Sequence, residues 1–176
     1  MVTTDNEELY QKMKLLKGQG MDPTRRYWHL VVGYNYRMTN IQAAVGLGQL
    51  ENSEWHLAQR VRVADLYEKH LGKHNELIKM QKVPEGYTSV YWMNNVILQE
   101  TVKKDRDDVM REMDIRNIET RPVFYPMHNM PPYYEERDDL YVAERLAARG
   151  ISLPSHALLT EDDVCITCES LLQIVG

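Results

Sequence analysis

Cys165 and Cys168 form a C-x-x-C, the one spacing in the chain that by itself suggests redox or metal chemistry. Redox pairs of this kind sit at the start of a helix following a strand, and zinc needs further ligands at matching spacing. Here the pair falls inside a helix that Thr160-x-x-Asp163 caps, and Cys168 lies on its apolar stripe with Val164, Leu171 and Val175. No metal or redox role is expected. The six histidines (29, 56, 70, 74, 128 and 156) make no H-x-x-x-H pattern with a Glu. His70 and His74 flank Gly72 and read as a solvated helix end. His128 differs, because it shares a proline-fixed loop with Tyr125, and a rigid loop can present both side chains to a cleft. A surface histidine without function is the competing reading. There is no G-x-S-x-G, no phosphate-binding G-x-x-x-x-G-K and no G-x-G-x-x-G; Gly46-x-Gly48 falls in mid-helix. Lys103, Lys104 and Arg106 with the acids beside them read as a mixed-charge helix start, not a binding tract. Residue chemistry alone assembles no catalytic constellation.

Composition narrows the class without naming a function. The 176 residues carry 21 Lys+Arg and 26 Asp+Glu, a net charge of −5, which argues against a general nucleic-acid binder. No apolar run approaches the roughly 18–20 residues of a membrane span. Two cysteines cannot build a disulfide framework, so a cytoplasmic setting is expected.

The elements that must position these residues follow from periodicity. Residues 1–4 read as a short β-prone stub, with Thr4-x-x-Glu7 as a capping box. The helix after it places Leu9, Met13 and Leu16 on one stripe, and Gly18 is expected to close it in a left-handed conformation. Residues 19–38 form a long irregular aromatic stretch, which is uncommon and often functional. A helical pattern then runs from Thr39 or Asn40 to about Leu71, with Asn52-Ser53 as its break. Small residues at 43, 44, 46 and 48 would let another element approach its first half. Its second half carries Leu57, Val61, Ala64, Tyr67 and Leu71. Beyond it, strands are expected within 76–82, 89–99, 116–123 and 151–153, with helices near 105–113, 140–149 and from Thr160 onward. Four prolines between Pro122 and Pro132 forbid regular structure there. Strands and helices mix without strict alternation, which predicts an α/β chain with a small α+β layer.

Tyr27-Trp28-His29, the run GYNYRMTNIQAAVGLGQLE (33–51), RPVFYPMHNMPPY (121–133) and RGISLPS (149–155) occur in order. Together they resemble the nucleotide-sugar aminotransferases, a pyridoxal-phosphate (PLP) family of DegT/DnrJ/StrS type, and most of all its perosamine synthase-like branch. The resemblance runs from residue 1 to the C-terminus. It implies the C-terminal part of a fold-type I PLP transferase with a long connecting helix, lacking most of the large PLP domain. Residues 1–38 would be a remnant of that domain plus an interface loop, 39–72 the connecting helix region, and 73–176 the small C-terminal α+β domain. In the family a sequence like MVTTD follows the Gly-rich run just after the Schiff-base lysine, so that lysine would lie upstream.

The resemblance carries residue roles as well. Asn35 would reach the PLP phosphate of a partner subunit. Arg37 is a substrate-binding candidate that could equally pair with an acidic side chain, and Tyr125 and His128 would flank the nucleotide-sugar cleft. The implied activity is amino transfer to a nucleotide-linked 4-keto-6-deoxy sugar, in polysaccharide biosynthesis. The chain alone would be inactive and would pair with itself or with a complementary N-terminal half. A non-catalytic accessory module and an inactive remnant are the alternatives. No nucleic acid, membrane or metal is implied.

Overall fold

In the computed structural model, which describes residues 2–176, Asn6 and not Thr4 caps the first helix, α1 (Glu7–Lys17). The Asn6 side chain accepts a hydrogen bond from the Leu9 amide at 3.0 Å, while Thr4 Oγ1 accepts from the Asn6 amide. Asn is at least as good a cap as Thr, and this register puts Glu7 and Glu8 in the first turn, where the helix dipole favours acids. Residues 2–4 form no strand, and Met1 of the expected stub lies outside the described residues.

The end of α1 also departs from expectation. Gly18 has φ −96°, and the left-handed conformation falls on Gln19 and Gly20 instead. A Cβ at Gly18 would meet the movable end of the Arg37 guanidinium at 2.9 Å and the Lys14 carbonyl at 3.2 Å. Residues 19–36 fold back on the helix end. Gln19 N–H donates to Tyr34 O, Tyr34 N–H to Leu16 O and Tyr36 N–H to Lys17 O. Gly33 passes so near that a Cβ would stand 2.2 Å from Gly20 N. The second helix, α2 (Asn40–Glu51), starts from a Thr39–Gln42 capping box and buries no residue. Open space faces Gly46 and Gly48, so nothing among the described residues uses the expected close approach.

The chain divides into two compact units at Asn52–Ser53, where the helical pattern also breaks. The second unit opens with α3 (Ser53–Leu71). Its inner stripe is Val63, Ala64, Tyr67 and Leu71; the expected Leu57 and Val61 are exposed. Four antiparallel strands follow: β1 (Ile78–Met80), β2 (Asn94–Leu98), β3 (Arg121–Pro122) and β4 (Gly150–Leu153), in spatial order β1-β2-β4-β3. The strand expected over 116–123 is cut to two residues. Helix α4 (Arg106–Ile115) is capped by Asp105, and Arg116 and Asn117 (φ 61°) close it. The proline-rich stretch is not wholly irregular: Met127–Asn129 and Pro131–Tyr133 are 3-10 turns. Proline's fixed φ suits a first helical position. Two further helices, α5 (Tyr141–Arg149) and α6 (Glu161–Val175), complete the unit, the latter with the expected Thr160–Asp163 capping box.

Alternation along the strands explains the layering. Ile78, Val96, Leu98, Ile151 and Leu153 join Val63, Tyr67 and Leu71 of α3, Val109 and Met113 of α4, and Val164, Cys168 and Leu171 of α6 in one buried cluster. The alternate residues Asn95 and Ser152, paired across β2 and β4, belong to the opposite face. Among the described residues no helix is long and apolar enough to cross a membrane.

Candidate functional site

Asn35 owes its place to the folded-back loop. It pairs with Gly18 as an isolated antiparallel bridge, and the rings of Tyr34 and Tyr36 on either side stack at 5.3 Å and 14°. Backbone bonds at Tyr34 and Tyr36 hold the segment, while Asn35 itself is exposed and its side-chain amide makes no hydrogen bond among the described residues. That leaves a positioned amide donor open to an anion. Arg37, two residues on, lies with its guanidinium against Gly18 and is also exposed.

In the second unit Tyr125 and His128 are engaged separately. His128 is buried, and its Nε2 lies 2.9 Å from Glu144 Oε1 on α5. The proline loop therefore turns this imidazole inward, against the expectation that both side chains face a cleft. Tyr125 remains half exposed, and its hydroxyl accepts a hydrogen bond from Arg106 Nη2 at 3.0 Å. Arg106 is 6% exposed, donates from Nη1 to the Ala147 carbonyl and from Nε to Asp107 Oδ1 at 2.8 Å. Burial works against its charge, yet Asp107 and Tyr125 together hold its pKa above the ordinary arginine value. The sequence reads here as a mixed-charge helix start, and burial of the Arg106 guanidinium is what that reading does not show. Lys104 pairs with Glu112 at 2.7 Å.

Sequence reasoning also missed the polar face of the sheet. Ser152 Oγ donates to Asn95 Oδ1 at 2.6 Å, and these two help line a cavity of about 280 Å³ with Tyr91, Trp92, Val123 and Phe124. Trp92 and Phe124 approach to 6.3 Å at 39°, an open aromatic wall. A neighbouring depression of about 480 Å³ adds Arg60, Glu119, Arg121 and His156 to Trp92 and Ser152. The doubled Asn94-Asn95 in an otherwise apolar strand was the available signal.

The surroundings of the C-x-x-C pair favour the protonated thiols. Burial pushes the Cys168 thiol up to about 12, and the hydrogen bond to Glu169 raises that of Cys165. Redox-active thiols are shifted the other way.

PLP can be tested against the side chains present. Its phosphate suits the free amide of Asn35. Covalent attachment is another matter, since a Schiff-base lysine is normally desolvated or otherwise acidified. Every lysine here is exposed except Lys104, which Glu112 neutralises. Lys69 moves the wrong way, because its hydrogen bond to Glu161 raises its pKa. These residues fit a phosphate contact and do not fit the attachment.

Comparison with known proteins shows what the chain is similar to. The sequence pattern of the DegT/DnrJ/EryC1/StrS aminotransferase family matches residues 1–172. The chain is 48% identical to a GDP-perosamine synthase of Caulobacter vibrioides, covering 99% of this chain and 47% of that protein. It is 40% identical to a GDP-perosamine synthase of Escherichia coli O157:H7, over 97% of this chain and 46% of the relative. Among solved structures, PseC of Helicobacter pylori, an aminotransferase involved in the biosynthesis of pseudoaminic acid, superimposes with a TM-score of 0.84 at 24% identity, over 98% of this chain and 47% of PseC. An aminotransferase from Brucella abortus gives 0.78 at 25% identity, over 98% of this chain and 45% of that one. The chain spans about half the length of the curated relatives it matches.

Proposed function

Because the chain belongs to the DegT/DnrJ/EryC1/StrS aminotransferase family, a PLP-dependent family, we propose that it acts as the C-terminal half of a perosamine synthase-like nucleotide-sugar aminotransferase. In this reading amino transfer to a nucleotide-linked 4-keto-6-deoxy sugar requires a second polypeptide segment carrying the Schiff-base lysine. PLP, when bound there, supplies the electron sink for moving the amino group. This chain contributes binding and orientation. Asn35 donates to the cofactor phosphate of a partner subunit, Arg37 meets an anionic group, and Tyr125 contacts the substrate. His128 braces the Tyr125 loop through Glu144. Residues 1–38 serve as the interface part, 39–72 as the connecting region and 73–176 as the small domain. The setting is the cytoplasm.

The observation that carries this reading is a near-complete match of this chain to about half of each relative, together with an unengaged Asn35 amide. A second observation favours assembly. On α2, Ile41, Val45 and Leu50 are 78%, 63% and 69% exposed, far more apolar surface than one helix leaves to water without a partner. That surface suits a second copy of this chain or the complementary segment.

The test is reconstitution. The purified chain is mixed with a tagged N-terminal segment bearing the family's lysine, given PLP, and reduced with borohydride. Retention of the chain by that segment, with the PLP adduct only on the added segment's lysine, is expected. A specific PLP adduct on one of this chain's own lysines, or no retention, would overturn the proposal.

A further inference from the structure

Arg106 is an unusual residue to bury, because a guanidinium loses strong hydration and keeps its charge. The protein surrounds it with three acceptors from separate places: the Ala147 carbonyl near the end of α5, the Asp107 carboxylate, and the Tyr125 hydroxyl at 3.0 Å. The first two satisfy it locally. The third does not serve burial of the tyrosine, since Tyr125 is 53% exposed and water could meet its oxygen. The guanidinium carbon also stands 5.4 Å from the Tyr125 ring centre, so the ring is held by its face as well as its oxygen.

The direction of the hydrogen bond matters more than its presence. A guanidinium has only donors, so the phenol oxygen must accept from it, and the phenol's own proton is left for another partner. A hydroxyl that accepts from a cation becomes a stronger donor in turn. Asp107 Oδ1, 2.7 Å from Nη2, balances the cation, so the group offered to solvent is the O–H and not a bare positive charge.

We infer that Arg106 is a positioning residue: it clamps Tyr125 so that the hydroxyl donates outward to an acceptor oxygen of an anionic ligand, a nucleoside diphosphate in the reading above, on which the ligand half of this inference rests. The flanking Phe124 and Met127 are exposed, so Tyr125 is the aromatic of this loop tied to a buried charge.

The experiment labels tyrosine at the ring carbon bearing the hydroxyl, whose carbon-13 shift reports hydrogen bonding to the oxygen, and assigns Tyr125 by Tyr125→Phe. In the ligand-free full chain, Arg106→Met is expected to move the Tyr125 signal beyond its linewidth while the other tyrosines hold theirs, and Arg106→Lys to recover part of the change. An unmoved Tyr125 signal overturns the clamp. Should Arg106→Met fail to fold, Tyr125→Phe decides: it is expected to free the Arg106 guanidinium protons from protection against exchange, and unchanged protection overturns the clamp. GDP is then added. A GDP-induced shift of Tyr125 in the native chain that is lost in Arg106→Met supports the donor role, and an equal shift in both overturns it. No shift in the native chain overturns the substrate reading of Tyr125, while the ligand-free arm still judges the clamp.

Discussion

His128 Nε2 lies 2.9 Å from Glu144 Oε1, and through this pair the turn at Met127–Asn129 is fastened to α5. The imidazole is buried, so removing its partner leaves a polar ring without compensation. Glu144→Leu should therefore cost about 1–3 kcal/mol of stability, the usual penalty for an orphaned buried donor. His128→Leu, which removes the buried polar group itself, should cost less. Urea unfolding of both variants checks the order; an equal or reversed ranking would show that the pair does not bear on the loop.

Leu171 is fully buried in α6, within the cluster shared by α3, α4 and the sheet. Leu171→Ala should destabilise by roughly 2–5 kcal/mol, because the cavity it leaves cannot collapse between three packed layers. Cys165, on the outer side of the same helix, should accept alanine with little change. Denaturant midpoints of the two variants decide this.

Thr160 and the backbone amide of the same residue hold Asp163 below the ordinary carboxylate pKa, the hydroxyl contributing most. A carboxyl with a depressed folded pKa stabilises above its unfolded value, and that contribution is lost as pH falls through the folded value. Asp163→Asn should therefore weaken the chain near neutrality and flatten the acid side of its stability profile. Thermal melts across pH 2–7 would show the two curves converging at low pH; curves that stay parallel would refute the assignment.

Thiol labelling gives an independent check on the core. With its thiol pushed up to about 12 and 1% exposed, Cys168 should resist iodoacetamide at pH 8 in the native chain and react on unfolding. Cys165, less buried, should react first. Native labelling of Cys168 at the same rate would mean that α6 opens readily.

The exposed apolar residues of α2 predict self-association when no complementary segment is supplied. Sedimentation at micromolar concentration should show a dimer or larger species, and Ile41→Glu with Val45→Glu should shift it towards monomer. A monodisperse native monomer would count against this.

Much of the second unit could be read from the residues. The Thr160–Asp163 box and the Val164-Cys168-Leu171-Val175 stripe depend on contacts three or four residues apart, and the structure keeps both. Where a longer-range contact competes, local reading fails. Thr4 and Asn6 are equal rivals as caps, and the difference of two residues moves the start of α1. Gly18 looks like a left-handed helix stop, yet the left-handed residues are Gln19 and Gly20, where the chain is bonded to the loop that returns at Leu30 and Tyr34. Leu57 and Val61 fit the α3 period but lie off the face that the sheet and α6 cover.

The sequence by itself carried, in order, the motifs that resemble the family, and through that resemblance pointed to Asn35, Arg37, Tyr125 and His128 as the residues to examine. Most helices follow from caps and apolar stripes, which depend on side-chain chemistry and short spacing that a linear string preserves. Only the tertiary structure decided what each one meets: Asn35 held out on a folded-back loop, His128 drawn inward to Glu144, and Tyr125 set against Arg106 from another helix. Residues 16 to 19 positions apart come together only when strands and helices pack. Burial then decides which of the paired groups stay structural and which remain open to a ligand.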